Sequence, residues 1–99
     1  MDKATAIAAL SALAHPIRID AFRLLVQAGG EGLTPSDLVA ALDLPYAKLG
    51  FHLKELTLAG LVTQEPSGRN VIYRAAYDRM NGLLAYLTEK GYKAKKAGG

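Results

Sequence analysis

Apolar residues recur along this chain in two rhythms, a helical one and, late in the chain, an alternating one. Over residues 2–14, Ala6, Ile7, Leu10, Leu13 and Ala14 form one stripe, and Asp2 stands where it caps the helix or favours its N-terminal dipole. His15-Pro16 breaks that pattern. A second stripe, Ile17, Ala21, Leu24, Leu25 and Ala28, predicts a helix over 16–28, with Arg18 and Arg23 on its other sides. Gly29-Gly30-Glu31-Gly32 stops it and turns the chain. Thr34-Pro35-Ser36-Asp37 has the make-up of a helix start: Thr34 at the N-cap, Pro35 at the first helical position, and Asp37 placed to reach back in a capping box. Leu38, Ala41 and Leu42 give this short third helix its apolar side, and Asp43-Leu44-Pro45 connects it tightly to the next.

That next helix organises the chain. Leu49, Leu53 and Leu56 recur at i, i+4 and i+7 and share a face. Pro45 suits its first position and Gly60 the left-handed C′ position beyond its end. At about 100° per residue, Ala47, Phe51, Lys54 and Leu58 lie opposite the leucines. Lys48 and Glu55 flank that outer face, and Gly50 and His52 sit on its shoulders. Two helices joined by so short a turn make a helix-turn-helix pattern, with this one as the recognition helix. Phe51 opposite a core stripe has two readings. It presses on a thymine methyl while its neighbours reach phosphate or base edges, or it fills a second hydrophobic contact. The helix alone leaves both open.

After Gly60 the period becomes two. Residues 61–64 read as a strand, 65–69 as a turn rich in breakers, and 70–74 as a β-branched and aromatic return strand. A hairpin directly after a recognition helix is a wing, with Arg69 at its tip and Arg74 on the return strand. Met80, Leu83, Leu84 and Leu87 then predict one buried stripe on a last helix over 77–90, with Asp78 in its first turn and Lys90 in its last, both favourable to the dipole. The predicted fold is therefore mainly α with a two-stranded β-hairpin. One domain spans residues 1–90, followed by a flexible, basic tail over 91–99 whose lysines read as solvated.

Composition narrows this picture. Ninety-nine residues make one domain with a modest core, a size at which chains often gain stability by pairing. The apolar fraction of 51% is rich in alanine and leucine, which suits close-packed helices and leaves apolar surface for a dimer interface. The first helix, with its many alanines, reads either as a subunit contact or as an ordinary core helix. A net charge of +3 is compatible with nucleic acid without being diagnostic. With no cysteine, disulfides and thiolate metal sites are excluded. His15 and His52 are far apart in sequence and have no carboxylate at metal-ligand spacing, so no metal or other cofactor is expected. No signal peptide and no membrane-spanning apolar run of about 18 residues is visible, and a cytoplasmic location is the expectation. Without a cysteine nucleophile, a serine beside a histidine motif, a Gly-rich phosphate loop or a carboxylate pair at helical spacing, no enzyme is expected.

Three segments together resemble the ArsR/SmtB-type bacterial transcriptional repressors. Ala14-His15-Pro16-Ile17-Arg18-Ile19 looks like that family's opening of its second helix. Gly50-Phe51-His52-Leu53-Lys54-Glu55-Leu56 with Ala59-Gly60-Leu61-Val62 looks like its recognition helix and exit, and Gly68-Arg69 with Val71-Ile72-Tyr73-Arg74 like its wing. The resemblance implies a homodimeric winged helix-turn-helix (α1-α2-α3-α4-β1-β2-α5) that binds an inverted-repeat DNA operator. Its recognition helices would enter successive major grooves roughly 34–36 Å apart. It also implies pairing through the first and last helices, here Ile7, Leu10, Leu13, Met80, Leu83, Leu84 and Leu87.

By the same resemblance His52 is the first candidate for a DNA contact, unless it is a shoulder residue that fixes the helix to the domain. Lys48 and Lys54 would meet phosphates, while Ala47, Gly50 and Phe51 would lie against base edges. The family commonly has serine at the Gly50 position; glycine weakens the helix by roughly 1 kcal/mol and permits closer approach. Ser36 would donate to a phosphate or serve only as a capping residue, and Arg69 would reach the minor groove or stay in solvent.

The departures concern the effector. Thr34 and Ser36 stand where the founding metal sensors carry a cysteine pair, and the last helix has no histidine. Thr88-Glu89 is followed by Lys90-Gly91-Tyr92 where an arsenic-sensing subgroup has two cysteines. Soft-metal and redox sensing thus do not carry over. What remains is a small organic effector held near Tyr77, Tyr86 and Tyr92, or constitutive binding. The competing class is a winged-helix protein-interaction module with little specific DNA binding.

Overall fold

The computed structural model describes residues 1–89; Lys90, Tyr92 and the basic tail lie outside the described residues. The first helix, α1, spans Lys3–Leu13 and opens on Asp2, whose carboxylate accepts from the Thr5 N–H at 2.8 Å. It buries Ala6, Ala9 and Ala12 and turns Ile7 and Leu10 outward. Helix α2 (Pro16–Ala28) is capped by the His15 ring, whose Nδ1 accepts from the Ile17 N–H. It buries Ala21, Phe22 and Leu25, so Phe22 joins the core although it lies outside the predicted stripe. A short 3₁₀ turn, Gly29–Glu31, leads to α3 (Pro35–Leu42). The Thr34/Asp37 capping box forms as expected, and the Thr34 backbone and hydroxyl hydrogen bonds hold the Asp37 carboxyl below its ordinary pKa. Ala41, assigned to the apolar side, is exposed.

Asp43, in the left-handed region at φ 56°, turns the chain into α4 (Tyr46–Leu58). Pro45 is the N-cap of this helix rather than its first residue, because the chain stays extended there (ψ 149°) while reversing direction. Beyond the C-cap Ala59, the Leu61 N–H bonds the Leu56 carbonyl and the Gly60 N–H bonds the Thr57 carbonyl. With Gly60 at φ 78°, this is a Schellman ending.

The wing pairs β1 (Val62–Ser67) with β2 (Asn70–Ala75), from Val62 opposite Ala75 to Ser67 opposite Asn70. Glu65 and Pro66, expected in the turn, belong to the strand. A proline is tolerated at the edge of a two-stranded ribbon, which has an unpaired side. The loop shrinks to Gly68-Arg69, with φ +61° at Gly68, the arrangement a type II′ hairpin turn asks for. The base of the wing is anchored. Leu33 and Tyr73 exchange both backbone hydrogen bonds, at 2.9 and 2.8 Å. Arg74 donates to the Gly30 carbonyl at 2.7 Å and pairs with Glu65 at 2.6 Å. Gly32 makes this approach possible: a Cβ there would lie 2.5 Å from the Tyr73 carbonyl oxygen, and its φ is +67°.

Helix α5 (Tyr77–Thr88) packs against α1. Its four spaced hydrophobics do not form one buried stripe. Leu83 is buried and Met80 half-buried against the core, whereas Leu84 and Leu87 face solvent. Leu25, Leu38, Leu49, Leu53, Leu56, Leu61 and Val62 make the centre of the core, where α2, α3, α4 and the first residue of the wing meet.

Candidate nucleic-acid interface

The inner face of α4 is fixed before its outer face is considered. Leu49, Leu53 and Leu56 are buried as the spacing predicts, each burial contributing about 2 kcal/mol. Opposite them, Ala47, Lys48, Gly50, Phe51, Lys54 and Leu58 are all exposed, Phe51 at 56% and Leu58 at 73%. Among the described residues no helix is long and apolar enough to cross a membrane.

Of the two readings of His52, the structure favours the shoulder residue that fixes the helix to the domain. It is only 3% exposed, because the start of α2 folds over that shoulder of α4. Its Nδ1 accepts from the Arg18 Nε at 3.1 Å, and its ring stacks obliquely on His15, centroids 4.6 Å apart. Arginine can only donate, so Nδ1 carries no proton and the ring is neutral. Burial, then the neighbouring charges of His15, Arg18 and Lys48, hold its pKa below the ordinary histidine value. A ring so placed offers no edge to a base; it locks the recognition helix onto α2.

Arg18, which the sequence reading left without a role, links the two faces. It bonds His52 on one side and places its guanidinium carbon 5.6 Å from the Phe51 ring centroid on the other. The His52 ring meets Phe51 edge-on at 5.4 Å. Ser36, in the first turn of α3, shares a hydrogen bond of 2.9 Å with the hydroxyl of Tyr46, the first residue of α4. The signal for Tyr46 was its place just after Pro45, where a helix begins and its side chain faces the preceding helix start. Arg69 is exposed at the wing tip, away from α4 along the chain but on the element that follows it. Between α4 and the wing runs an open groove of about 290 Å³, lined by Gly50, Lys54, Thr57, Leu58, Gln64 and Tyr73.

The residues at the family's cysteine positions do not fit a thiophilic metal. The Thr34 hydroxyl caps α3 and the Ser36 hydroxyl bonds Tyr46, and both are hard oxygen donors already engaged. Among the described residues, no three His, Cys, Asp or Glu side chains are grouped as a metal site requires. The tyrosines considered for an organic effector are packing groups where they are described. Tyr77 donates to the Val26 carbonyl at 2.8 Å, and Tyr86 packs on the core.

Comparison with known proteins agrees with this geometry. A family model described as a helix-turn-helix domain matches residues 13–65. The chain is 43% identical over 67 residues to the HTH-type transcriptional repressor SmtB of Mycobacterium tuberculosis, a stretch that is 68% of this chain and 47% of that protein. The chain thus spans about half the length of the curated relatives it matches. Its fold is similar to that of an ArsR-like transcriptional regulator from Rhodococcus sp. RHA1 (TM-score 0.77, 26% identity, 89% of this chain and 80% of that one). It is also similar to the homodimeric winged helix-turn-helix DNA-binding domain Mb0332 from Mycobacterium bovis (TM-score 0.70, 24% identity, 84% and 75% covered). With the match running from the end of α1 through α4 into β1, over more than half its length, the chain belongs to the helix-turn-helix family, in its winged ArsR/SmtB type.

Proposed function

We propose that this protein is a sequence-specific, DNA-binding transcriptional regulator, a repressor, that acts as a homodimer on an inverted-repeat operator in the cytoplasm. The observation that carries the reading is the build of α4. Its inner face is locked by three leucines and His52, and its outer face is bare, with lysines on both sides and a groove leading to the wing. Lys48, Lys54 and Arg69 neutralise phosphates, Ala47, Gly50 and Phe51 meet base edges, and Ser36 with Tyr46 borders the backbone. His52 positions the helix without touching DNA. Ile7 and Leu10 of α1 with Leu84 and Leu87 of α5 form the apolar face that meets the second copy. Leu13, Met80 and Leu83 support that face from within. The relatives named as repressors and the homodimeric neighbour support the same reading.

Footprinting of the purified protein on genomic fragments, including its own upstream region, across a salt series tests this. A two-fold symmetric footprint with half-sites one helical turn apart and a steep salt slope is expected. Equal binding to random DNA at low salt would overturn the reading in favour of a protein-docking module.

A further inference from the structure

The outer face of α4 is unusual in what it lacks. Its exposed residues are Tyr46, Ala47, Lys48, Gly50, Phe51, Lys54 and Leu58. None of them is an arginine, asparagine or glutamine, and the two lysines, which also bind guanine O6 and N7, stand at the edges of the face rather than at its centre. Three of the polar groups nearby are occupied, and the half-buried Glu55 flanks the face on the Lys48 side. His52 is turned inward to Arg18, the Tyr46 hydroxyl is shared with Ser36, and the Thr57 hydroxyl donates to the Leu53 carbonyl. What stands at the centre of the face is carbon. At about 100° per residue, Ala47, Phe51 and Leu58 fall within a strip roughly 40° wide, and Lys48 and Lys54 lie roughly 60° to either side of Phe51. An apolar line between two ammonium groups matches a major groove, whose floor carries base edges and whose walls carry phosphate.

The one apolar feature on that floor is the thymine C5-methyl group. Phe51 is prepared to meet it. Arg18 lies over its ring, the His52 edge buttresses it, and half of the side chain remains open to solvent. Its position therefore needs little further ordering on contact. Gly50 beside it has open space where a Cβ would stand, which leaves the backbone bare on that side.

We infer that this recognition helix specifies its operator chiefly through thymine methyl groups, with Phe51 as the specificity-determining contact and Ala47 and Leu58 extending the apolar line. The lysines set affinity at the edges of the same contact. This rests on the operator-binding reading above and names the chemistry that reading uses.

The test is selection of binding sites from a random duplex pool, followed by replacement of thymine with uracil in the selected duplex, which removes only the methyl group. Affinity of the unaltered protein is expected to fall about fourfold per contacted methyl, roughly an order of magnitude over two half-sites. Phe51→Ala is expected to bind thymine and uracil duplexes alike, while Phe51→Leu keeps part of the discrimination. A selected sequence bound equally well in its uracil form overturns this inference and leaves operator binding standing. So does full discrimination by Phe51→Ala. A pool from which no sequence is enriched overturns both.

Discussion

Helices α1 and α4 each show solvent a line of apolar side chains, yet they are built in opposite ways. Helix α4 buries its large residues, Leu49, Leu53 and Leu56, and is held by the body of the domain. Helix α1 buries only Ala6, Ala9 and Ala12 and leaves Ile7 and Leu10, 54% and 42% exposed, pointing away. A buried alanine contributes about one methyl group of transfer free energy, a third or less of a leucine. The surroundings differ as well. The exposed carbon of α4 lies between Lys48 and Lys54, whereas α1, with Lys3 only at its first turn, packs against α5, which exposes Leu84 and Leu87 in its turn. Exposed carbon between cations suits a polyanion with apolar groups on its floor. Exposed carbon on two packed helices, with few charges about it, suits another copy of itself. The two faces can be broken separately.

The largest effect is expected from the α1/α5 face. Leu10→Glu combined with Leu84→Glu should leave helicity by circular dichroism intact, since both side chains are exposed. Sedimentation should then show a monomer, and operator affinity should drop about 100-fold or more as the second half-site is lost. A dimer that survives this change would erase the distinction between the two faces.

His52 comes next. His52→Ala should lower stability by about 1–3 kcal/mol and weaken DNA binding with it, since the Arg18 donor loses its partner. The pH dependence sharpens the point. The folded pKa of His52 is lowered, so as pH falls the unfolded chain takes up the proton first. Its contribution is full above the ordinary histidine value of about 6.5, declines as pH falls from there through the lowered folded value, and then levels off. His52→Gln, which keeps an acceptor and cannot titrate, should remove that limb from urea melts run between pH 7.5 and about 5.

Smaller and purely electrostatic changes are expected from Lys48→Ala and Lys54→Ala. Each should flatten the salt dependence of operator binding by about 0.9 for every phosphate left without its ammonium partner, with dimerisation unchanged and stability within about 0.5 kcal/mol. An unchanged salt slope would remove that lysine from the interface. The smallest is Gly50→Ala. The site is open, so the variant should be more stable by about 1 kcal/mol and melt a few degrees higher. Weakened operator binding in the same variant would report close backbone approach to the duplex, and unchanged binding would exclude it.

Much of this architecture was legible in the sequence because punctuation residues act locally. Pro16, Pro35, Gly60 and Gly68 set boundaries through their own backbone preferences, and the Thr34/Asp37 box needs only three residues of context. What stayed open or was misread depends on neighbours distant in sequence. A helical wheel puts His52 on a shoulder of α4, and only the fold brings Arg18, 34 residues earlier, to its ring nitrogen. The same wheel finds stripes on α1 and α5 without saying whether the small or the large residues of a mixed stripe turn inward. Here alanines and Leu83 do, and Ile7, Leu10, Leu84 and Leu87 do not. The pattern places Arg74 on the return strand and says nothing of its partners; the fold engages its guanidinium with Glu65 and Gly30 at the hairpin base.

That base has a consequence for how such a protein can change over generations. The foot of the hairpin is stitched to the entrance of α3 through Leu33 and Tyr73, while Ser67, Gly68, Arg69 and Asn70 at its far end are exposed, and Gly68 has no neighbour where a Cβ would stand. Length can therefore be added or removed at the head without disturbing the footing. Inserting two residues into each strand keeps every side chain on its original side and extends the reach by about 7 Å, whereas one per strand would swap the sides of everything beyond it. The appendage thus has a natural increment, and descendants that vary its span in that increment keep the body of the domain unaltered.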